Sequence, residues 1–316
     1  MTLSIRPATD ASADLEAIAR IANAVRPDDP SSLDEMRWED ATYPGTMRYL
    51  VEEEGRTIGA GTVGRIYVYP PEFPDLWGSV DVLPEARRRG TGSELLRTIS
   101  RHARSIGKAA IQIGVSEGRP EGEAFLRRHG FVEYERARMA RLDLAGLERP
   151  PIDPPDGVRL TSLEASPELV AGVHAVAEAT FADIPGGDPI VAGDLAEFRA
   201  RDVERPSIPP GGFAIAVESA TARVIGYASL IFQPGSTKLV WNDMTAVLPE
   251  WRGRGVARAL KRATIGWAID NGLEAIETGN DVANGPMKAV NAALGYRPLP
   301  DEVTMRGLAA EDRTSG

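Results

Sequence analysis

The chain repeats itself, and this limits what it can fold into more than any other feature. The run Val82-Leu83-Pro84-Glu85-Ala86-Arg87-Arg88-Arg89-Gly90-Thr91-Gly92 recurs as Val247-Leu248-Pro249-Glu250-Trp251-Arg252-Gly253-Arg254-Gly255-Val256-Ala257, 165 residues further on. The same 165-residue offset relates Gly107 to Gly272, and Gly130-Phe131 to Gly295-Tyr296. Upstream, Ile58-Gly59 pairs with Ile225-Gly226 at an offset of 167, and Ile5-Arg6 with Val158-Arg159 at 153. The second copy therefore carries extra residues in its first third. A fixed offset across separate landmarks marks a duplicated structural unit. Residues 148–157 are rich in proline and cannot continue a helix or a central strand. They read as a linker between copy one, residues 1–147, and copy two, residues 158–316. The full length of 316 residues suits two ordinary domains.

Within each copy the hydrophobic spacing predicts a strand, helices, three strands, a helix, a strand, a helix and final strands. In copy one the strands are expected at 3–6, 47–52, 57–67, 76–82, 109–115 and 131–142, and the helices at 14–24, 92–106 and 121–129. Gly107 suits the left-handed position that closes a helix. In copy two the helices fall at 169–180, 194–203, 256–271 and 286–294, and the strands at 213–218, 224–232, 238–247 and 274–278. Mixed strands and helices, with one strand–glycine loop–helix unit per copy, indicate an α/β layer fold.

Composition narrows the chemistry. Cysteine is absent, which removes disulfides, thiolate metal sites and cysteine nucleophiles. The three histidines, His102, His129 and His174, share no metal-ligand spacing, so no metal is expected. A net charge of −10 argues against nucleic-acid binding and is compatible with a cationic substrate. Solubility alone is the stronger explanation of such a charge. Only four of the basic residues are lysines: Lys108, Lys238, Lys261 and Lys288. No apolar run approaches the roughly 20 residues of a membrane span, and the N-terminus lacks the pattern of a signal peptide. A cytoplasmic location with no membrane partner is expected.

The strongest functional feature is the loop between strand and long helix: Arg87-x-x-Gly90-x-Gly92 in copy one, Arg252-x-x-Gly255-x-Ala257 in copy two. Small residues let backbone N–H groups converge, the helix N-terminus adds positive partial charge, and the arginines add donors. Such a loop suits a pyrophosphate. It lacks the GK[ST] of a Walker loop and the third glycine of a Rossmann loop. A glycine loop that merely turns a strand into a helix is the plainer alternative.

These residues resemble the acetyl-CoA signature [QR]-x-x-G-x-[GA] of the GNAT superfamily of N-acetyltransferases, and the tandem layout is similar to that of mycothiol synthases. The resemblance implies a mixed, mostly antiparallel central sheet flanked by helices in each copy. It implies acetyl-CoA as co-substrate and direct attack of an amine on the thioester carbonyl. By the same resemblance, Val247 would contact the pantetheine and thioester, Arg252, Gly253, Arg254, Gly255, Val256 and Ala257 would wrap the pyrophosphate, and Asn284 would touch the pantetheine. The copy-one counterparts are Val82, Arg87, Gly90, Thr91 and Gly92.

An alkylammonium group with a pKa near 10.4 is protonated at neutral pH, so acetylation needs a route for its proton. The resemblance puts an acid four residues before the final valine of the strand, which is Asp243 in copy two and Gly78 in copy one. Asp81, the nearest acid in copy one, falls on the other strand parity. Copy two is therefore the expected catalyst and copy one a degenerate partner. For Asp243 the structural alternative is a salt-bridged or edge-strand carboxylate. The tyrosine that the resemblance would put four residues before the Gly-aromatic pair is replaced by Asn291 in copy two and Leu126 in copy one. Water, Tyr227 or departure of an unprotonated thiolate must then serve. Asp183 and Asp188, in the extra stretch of copy two, are candidate contacts for an acceptor ammonium, although Asp before Gly or Pro is also ordinary turn chemistry. The expected acceptor is a small-molecule amine. A protein or peptide amine, or a non-catalytic acyl-CoA-binding role, are the alternatives.

Overall fold

The computed structural model describes residues 3–310. Its strands and helices, in chain order, are β1 (Leu3–Pro7), α1 (Ser12–Val25), α2 (Leu33–Thr42), β2 (Met47–Glu53), β3 (Arg56–Arg65), β4 (Asp75–Val82), α3 (Thr91–Ser105), β5 (Ala110–Ser116), α4 (Pro120–Arg128) and β6 (Val132–Asp143). The second half continues with β7 (Val158–Ser162), α5 (Val170–Thr180), α6 (Leu195–Asp202), β8 (Phe213–Glu218), β9 (Val224–Phe232), β10 (Leu239–Val247), α7 (Val256–Asp270), β11 (Ala275–Asp281), α8 (Gly285–Ala293), β12 (Arg297–Pro298) and β13 (Glu302–Gly307). The expected elements appear within a few residues of their predicted bounds. Helix α2 carries no clear apolar stripe and was not expected as a separate element; Ser32 caps it by accepting from the Glu35 N–H.

The chain forms two compact units, and their composition differs from the repeat boundaries read in the sequence. One unit joins the chain up to Arg136 with the stretch from Asp301 onward; the other runs from Ala137 to Pro300. The expected division at 148–157 therefore misses an exchange of final strands. β13 pairs antiparallel with β5 and buries Val303 and Met305 in the first unit's core. β6, from Ala137 to Asp143, pairs antiparallel with β11, and Leu142 joins the second unit's core. Residues 1–2 and 311–316, which the repeat bounds include, lie outside the described residues.

In the first unit the strand order is β1-β2-β3-β4-β5-β13, antiparallel throughout except for the parallel pair β4/β5. In the second it is β7-β8-β9-β10-β11-β6, with β10/β11 the parallel pair and β12 beside β6. The mixed, mostly antiparallel sheet is thus the same in both. Leu95, Leu96, Ile99 and Ala103 put the apolar face of α3 on the first sheet, and Val256, Leu260, Ile265 and Ala268 do the same for α7 on the second. A strand that alternates buried and exposed positions delivers the next loop to one end of the sheet, and there the site forms. No helix among the described residues is long and apolar enough to cross a membrane.

Candidate active site

In the second unit two neighbouring strands part. β10 pairs with β11 only from Leu239 to Trp241 opposite Ala275 to Glu277. Beyond that, β10 stays on β9 alone, and a hydrogen bond from Thr278 Oγ1 to the Asn242 carbonyl (3.3 Å) lies just past the last paired residues. The Leu248 N–H donates to the Ile225 carbonyl at the end of β9. Backbone alternation then turns the N–H and C=O of Val247 the other way, into the splay. The Val247 carbonyl accepts the Nε of Arg252 at 3.0 Å, which leaves its N–H for a ligand.

The loop after Val247 turns twice through left-handed backbone, at Gly253 (φ 73°) and Gly255 (φ 92°), and α7 starts at Val256. A side chain at these angles is strained, so glycine is what makes the loop possible. No side chain caps α7, so the first-turn N–H groups around Val256 and Ala257 are left for an anion. Arg252 is more a brace than a free donor: besides Val247 it holds Asp183 Oδ2 at 2.7 Å. Asp183, a candidate acceptor contact from sequence, is thereby tied to the loop. The guanidinium of Arg254 lies 5.0 Å from the ring centre of Trp251. Asp188 stands exposed in the segment between α5 and α6. Asn284 acts as the N-cap of α8, its Oδ1 accepting the Met287 N–H, which leaves its amide group for other contacts.

Copy one repeats the loop almost atom for atom. Arg87 Nε donates to the Val82 carbonyl at 3.0 Å, Gly90 has φ 89°, and Arg88 takes φ 64° where the other loop has Gly253. Thr91 begins α3 and is buried, and Gly92 packs toward Phe125. What differs is the strand before it. A Cβ on Gly78 would come within 2.7 Å of Ile111 Cγ2 and 3.1 Å of the Thr62 carbonyl, so no carboxylate fits there. Asp81 is buried and paired with Arg26 Nε at 3.0 Å.

In copy two the corresponding position is a β-bulge. The β9/β10 register slips between Asn242 and Met244, which leaves Asp243 as the extra residue. A bulge re-aims a side chain out of the regular alternation. Asp243 is exposed to solvent, yet the protein is dense around it at longer range. That surround raises its pKa by desolvation, with Arg205 and Arg201 pulling the other way. Nearby, Asp202 at the end of α6 is pushed up to about 6 by burial, with Arg201 opposing and Asp243 adding to the rise. Arg201 bonds Asp202 at 2.8 Å and the Ala192 carbonyl at 3.1 Å. The Tyr227 ring stacks on Phe213 at 5.4 Å, and its buried hydroxyl has no hydrogen-bond partner. Desolvation, Asp202 and Asp243 all raise the Tyr227 pKa, so the phenol stays protonated.

Two groups escape sequence reading. Asp202 ends a short helix without any motif. Lys261 lies on the apolar face of α7, fully buried, and donates from Nζ to Asn291 Oδ1 at 2.6 Å, while Asn291 Nδ2 donates to Asn280 Oδ1 at 2.7 Å. A lone lysine between Leu260 and Thr264 was the visible signal. Among the described residues no group of His, Asp or Glu side chains is arranged to hold a metal ion.

A sheet that splays beside a glycine loop at a helix N-terminus, twice in one chain, defines a tandem acyltransferase fold. The acetyltransferase (GNAT) family matches residues 15–131 and 183–296, and the chain belongs to that family. It is an acetyl-CoA-dependent acetyltransferase. Among its relatives is the mycothiol acetyltransferase of Nocardiopsis dassonvillei, 28% identical over 311 residues, covering 89% of this chain and 88% of the relative. The mycothiol acetyltransferase of Pseudarthrobacter chlorophenolicus is 29% identical over 230 residues, covering 71% and 68%. In fold the chain is similar to a tandem GNAT protein from the clavulanic acid biosynthesis pathway, with a TM-score of 0.78, 22% identity and coverage of 98% and 100%.

Proposed function

We propose that copy two transfers the acetyl group of acetyl-CoA directly to an amine of a small, cationic molecule, with Asp243 as the general base. The observation that carries this reading is the bulge at Asp243. It lifts one carboxylate out of the strand at the mouth of the splay, beside Asp202 and the unpartnered Tyr227 hydroxyl. A carboxylate with a raised pKa accepts a proton from an attacking ammonium more readily than an ordinary one. The Val247 N–H and the loop from Arg252 to Ala257 would hold the coenzyme. Copy one keeps the loop but has no room for the acid, and we read it as a non-catalytic support.

The acceptor is a matter for assay. A panel of mycothiol-related amines, polyamines and aminoglycosides, followed by thiol release, is the direct test, since relatives carry the name mycothiol acetyltransferase. Asp243→Asn should lower kcat at least a hundredfold, as loss of a general base does, while the acetyl-CoA Kd stays within about twofold. Unchanged turnover would remove Asp243 as the base. Tight acetyl-CoA binding with no activity on any amine would favour a binding role instead.

A further inference from the structure

Asn242 is a costly residue to put where it stands. It lies on β10, 5% exposed, and its side-chain oxygen has no hydrogen-bond partner among the described residues. A buried polar group left unpaired works against folding, and leucine has nearly the same shape without that cost. Copy one builds the same strand without an amide: 165 residues earlier the position holds Trp77, which pairs with Gly64 in unbroken register. The reason for Asn242 lies on the other side of its side chain.

The Nδ2 group reaches forward past Asp243. It donates to the Met244 carbonyl at 3.1 Å and to Thr245 Oγ1 at 3.2 Å, with the Ser229 carbonyl of β9 at 3.5 Å. Two of these three acceptors are carbonyls, which fixes the amide with its nitrogen toward them. Asp243 is the residue that the β9/β10 register skips, so the bonds bridge the bulge from the residue before it to the two after it. On the other edge, the Asn242 carbonyl accepts from Thr278 Oγ1 of β11. A bulge takes up one extra residue, and sliding it by one position re-aims the side chains it passes. A side chain as short as asparagine reaches both Met244 and Thr245 because the chain is drawn in between them. Its bonds therefore select the bulge at 243.

We propose that Asn242 is the positioning residue for Asp243: its amide pins the bulge at one place on β10 and so holds the carboxylate beside the splay. The inference rests on the reading of Asp243 as the general base. No proton passes through Asn242, which acts on the reaction only through where that carboxylate stands. Arg201, Arg205 and Asp202, the charged groups that act on Asp243 or feel it, then meet it in one fixed arrangement. The same division of duties accounts for Trp77. Copy one has no acid at Gly78 and no slip in the β3/β4 register, so it has nothing to pin.

The test follows Asp243 directly and needs no knowledge of the acceptor. Carboxyl NMR of the full-length protein against pH gives the Asp243 midpoint, its signal assigned by its loss in Asp243→Asn. In the wild type that midpoint should lie above 3.8, raised by the desolvation that goes with its place. Asn242→Leu keeps the side-chain shape and removes the donors. It should move the midpoint toward 3.8 by at least about 0.5 pH unit, roughly a threefold change in the proton equilibrium. Thr245→Val should do the same in part, and Thr245→Ser, which keeps the hydroxyl, should restore most of what is lost. With acetyl-CoA and the amine panel, Asn242→Leu should lower kcat at least about tenfold with the KM for acetyl-CoA within about twofold. It should cost nothing further in the Asp243→Asn background, because the amide acts through the acid. An asparagine with a purely structural role would change the unfolding midpoint and leave the Asp243 titration where it was, and that result overturns the proposal. Should Asn242→Leu fail to fold, Thr245→Val decides alone. Full turnover in Asp243→Asn overturns the reading of Asp243 as the base, a result distinct from either.

Discussion

Replacing Lys261 by Met should change how the stability of the protein depends on pH, and the sign can be worked out from the fold. The side chain is buried and its pKa falls from 10.5 to about 7 through desolvation. Between those values the unfolded chain binds more protons than the folded one, so wild-type stability rises with pH across that window. It is lowest once the pH has fallen below about 7, and the deficit vanishes above 10.5. At roughly 1.4 kcal/mol per pH unit, the deficit at neutral pH is on the order of 4 kcal/mol. About 3 kcal/mol of it should return by roughly pH 9.5 on the same linkage. Met removes the titration entirely. It also strips Asn291 Oδ1 of its donor, which costs about 1–3 kcal/mol but does not vary with pH. Urea unfolding can be followed through Trp241, Trp251 and Trp267, all in the second unit. The stability difference between wild type and Lys261→Met should move by about 3 kcal/mol in favour of the wild type from neutral to alkaline pH. Parallel curves for the two proteins would refute the reasoning, because every other titrating group cancels in the difference.

Four further outcomes follow from the fold and the site. Asp243 must be deprotonated to act as a base, and desolvation by the protein packed around it raises its pKa, so kcat/KM should fall as the pH drops through a value above the ordinary 3.8. Because the Asp243 charge raises the pKa of Asp202, Asp243→Asn should move the Asp202 titration, followed by carboxyl NMR, to below about 6, and an Asp202 titration that does not move would argue against their coupling. Gly255→Val forces a branched side chain into φ 92°, at roughly 1–2 kcal/mol; calorimetry should show weaker acetyl-CoA binding, whereas an unchanged Kd would mean the loop does not hold the coenzyme. Arg306→Leu leaves the buried Asp75, among the described residues, with the Gln112 amide as its side-chain donor, and should cost about 3 kcal/mol in chemical unfolding. A negligible loss there would count against β13 belonging to the first unit.

Most of the fold was legible because the chain says it twice. A single strand–loop–helix run is weak, but Val82–Gly92 and Val247–Ala257 at one offset, with matching glycines downstream, restrict the architecture severely. The exchange of final strands was not legible. β13 has the alternation of any half-buried strand, β6 is mostly half-exposed with Leu142 its one buried residue, and Val303 or Leu142 would suit either sheet. Sequence alternation specifies which face a side chain takes, not which neighbour the backbone bonds. That choice lies in long-range contacts such as Arg306 with Asp75, 231 positions apart in the chain.

The site divides along the same line, and the division explains what kind of residue sequence reading finds. Gly253 and Gly255 were legible because backbone geometry demands them: positive φ leaves few alternatives, so the residue type carries the reason for its presence. Asp243 was legible only relative to Gly78, and the structure supplies the cause in a bulge on one side and a 2.7 Å obstruction on the other. Asp202 and Lys261 are different. Each owes its chemistry to surroundings brought by other elements: Asp243 from β10 raises the one, and the packed core around α7 desolvates the other. A pKa is a property of an environment, so no local pattern can announce it. Asp183 makes the converse point. It is an acid in the stretch where an acceptor contact was expected, yet Arg252 claims it, and its charge braces the loop before α7. Asp243, set at the bulge and exposed to solvent, is held by no arginine of that loop, which is why the proposed proton-accepting role falls to it and not to Asp183.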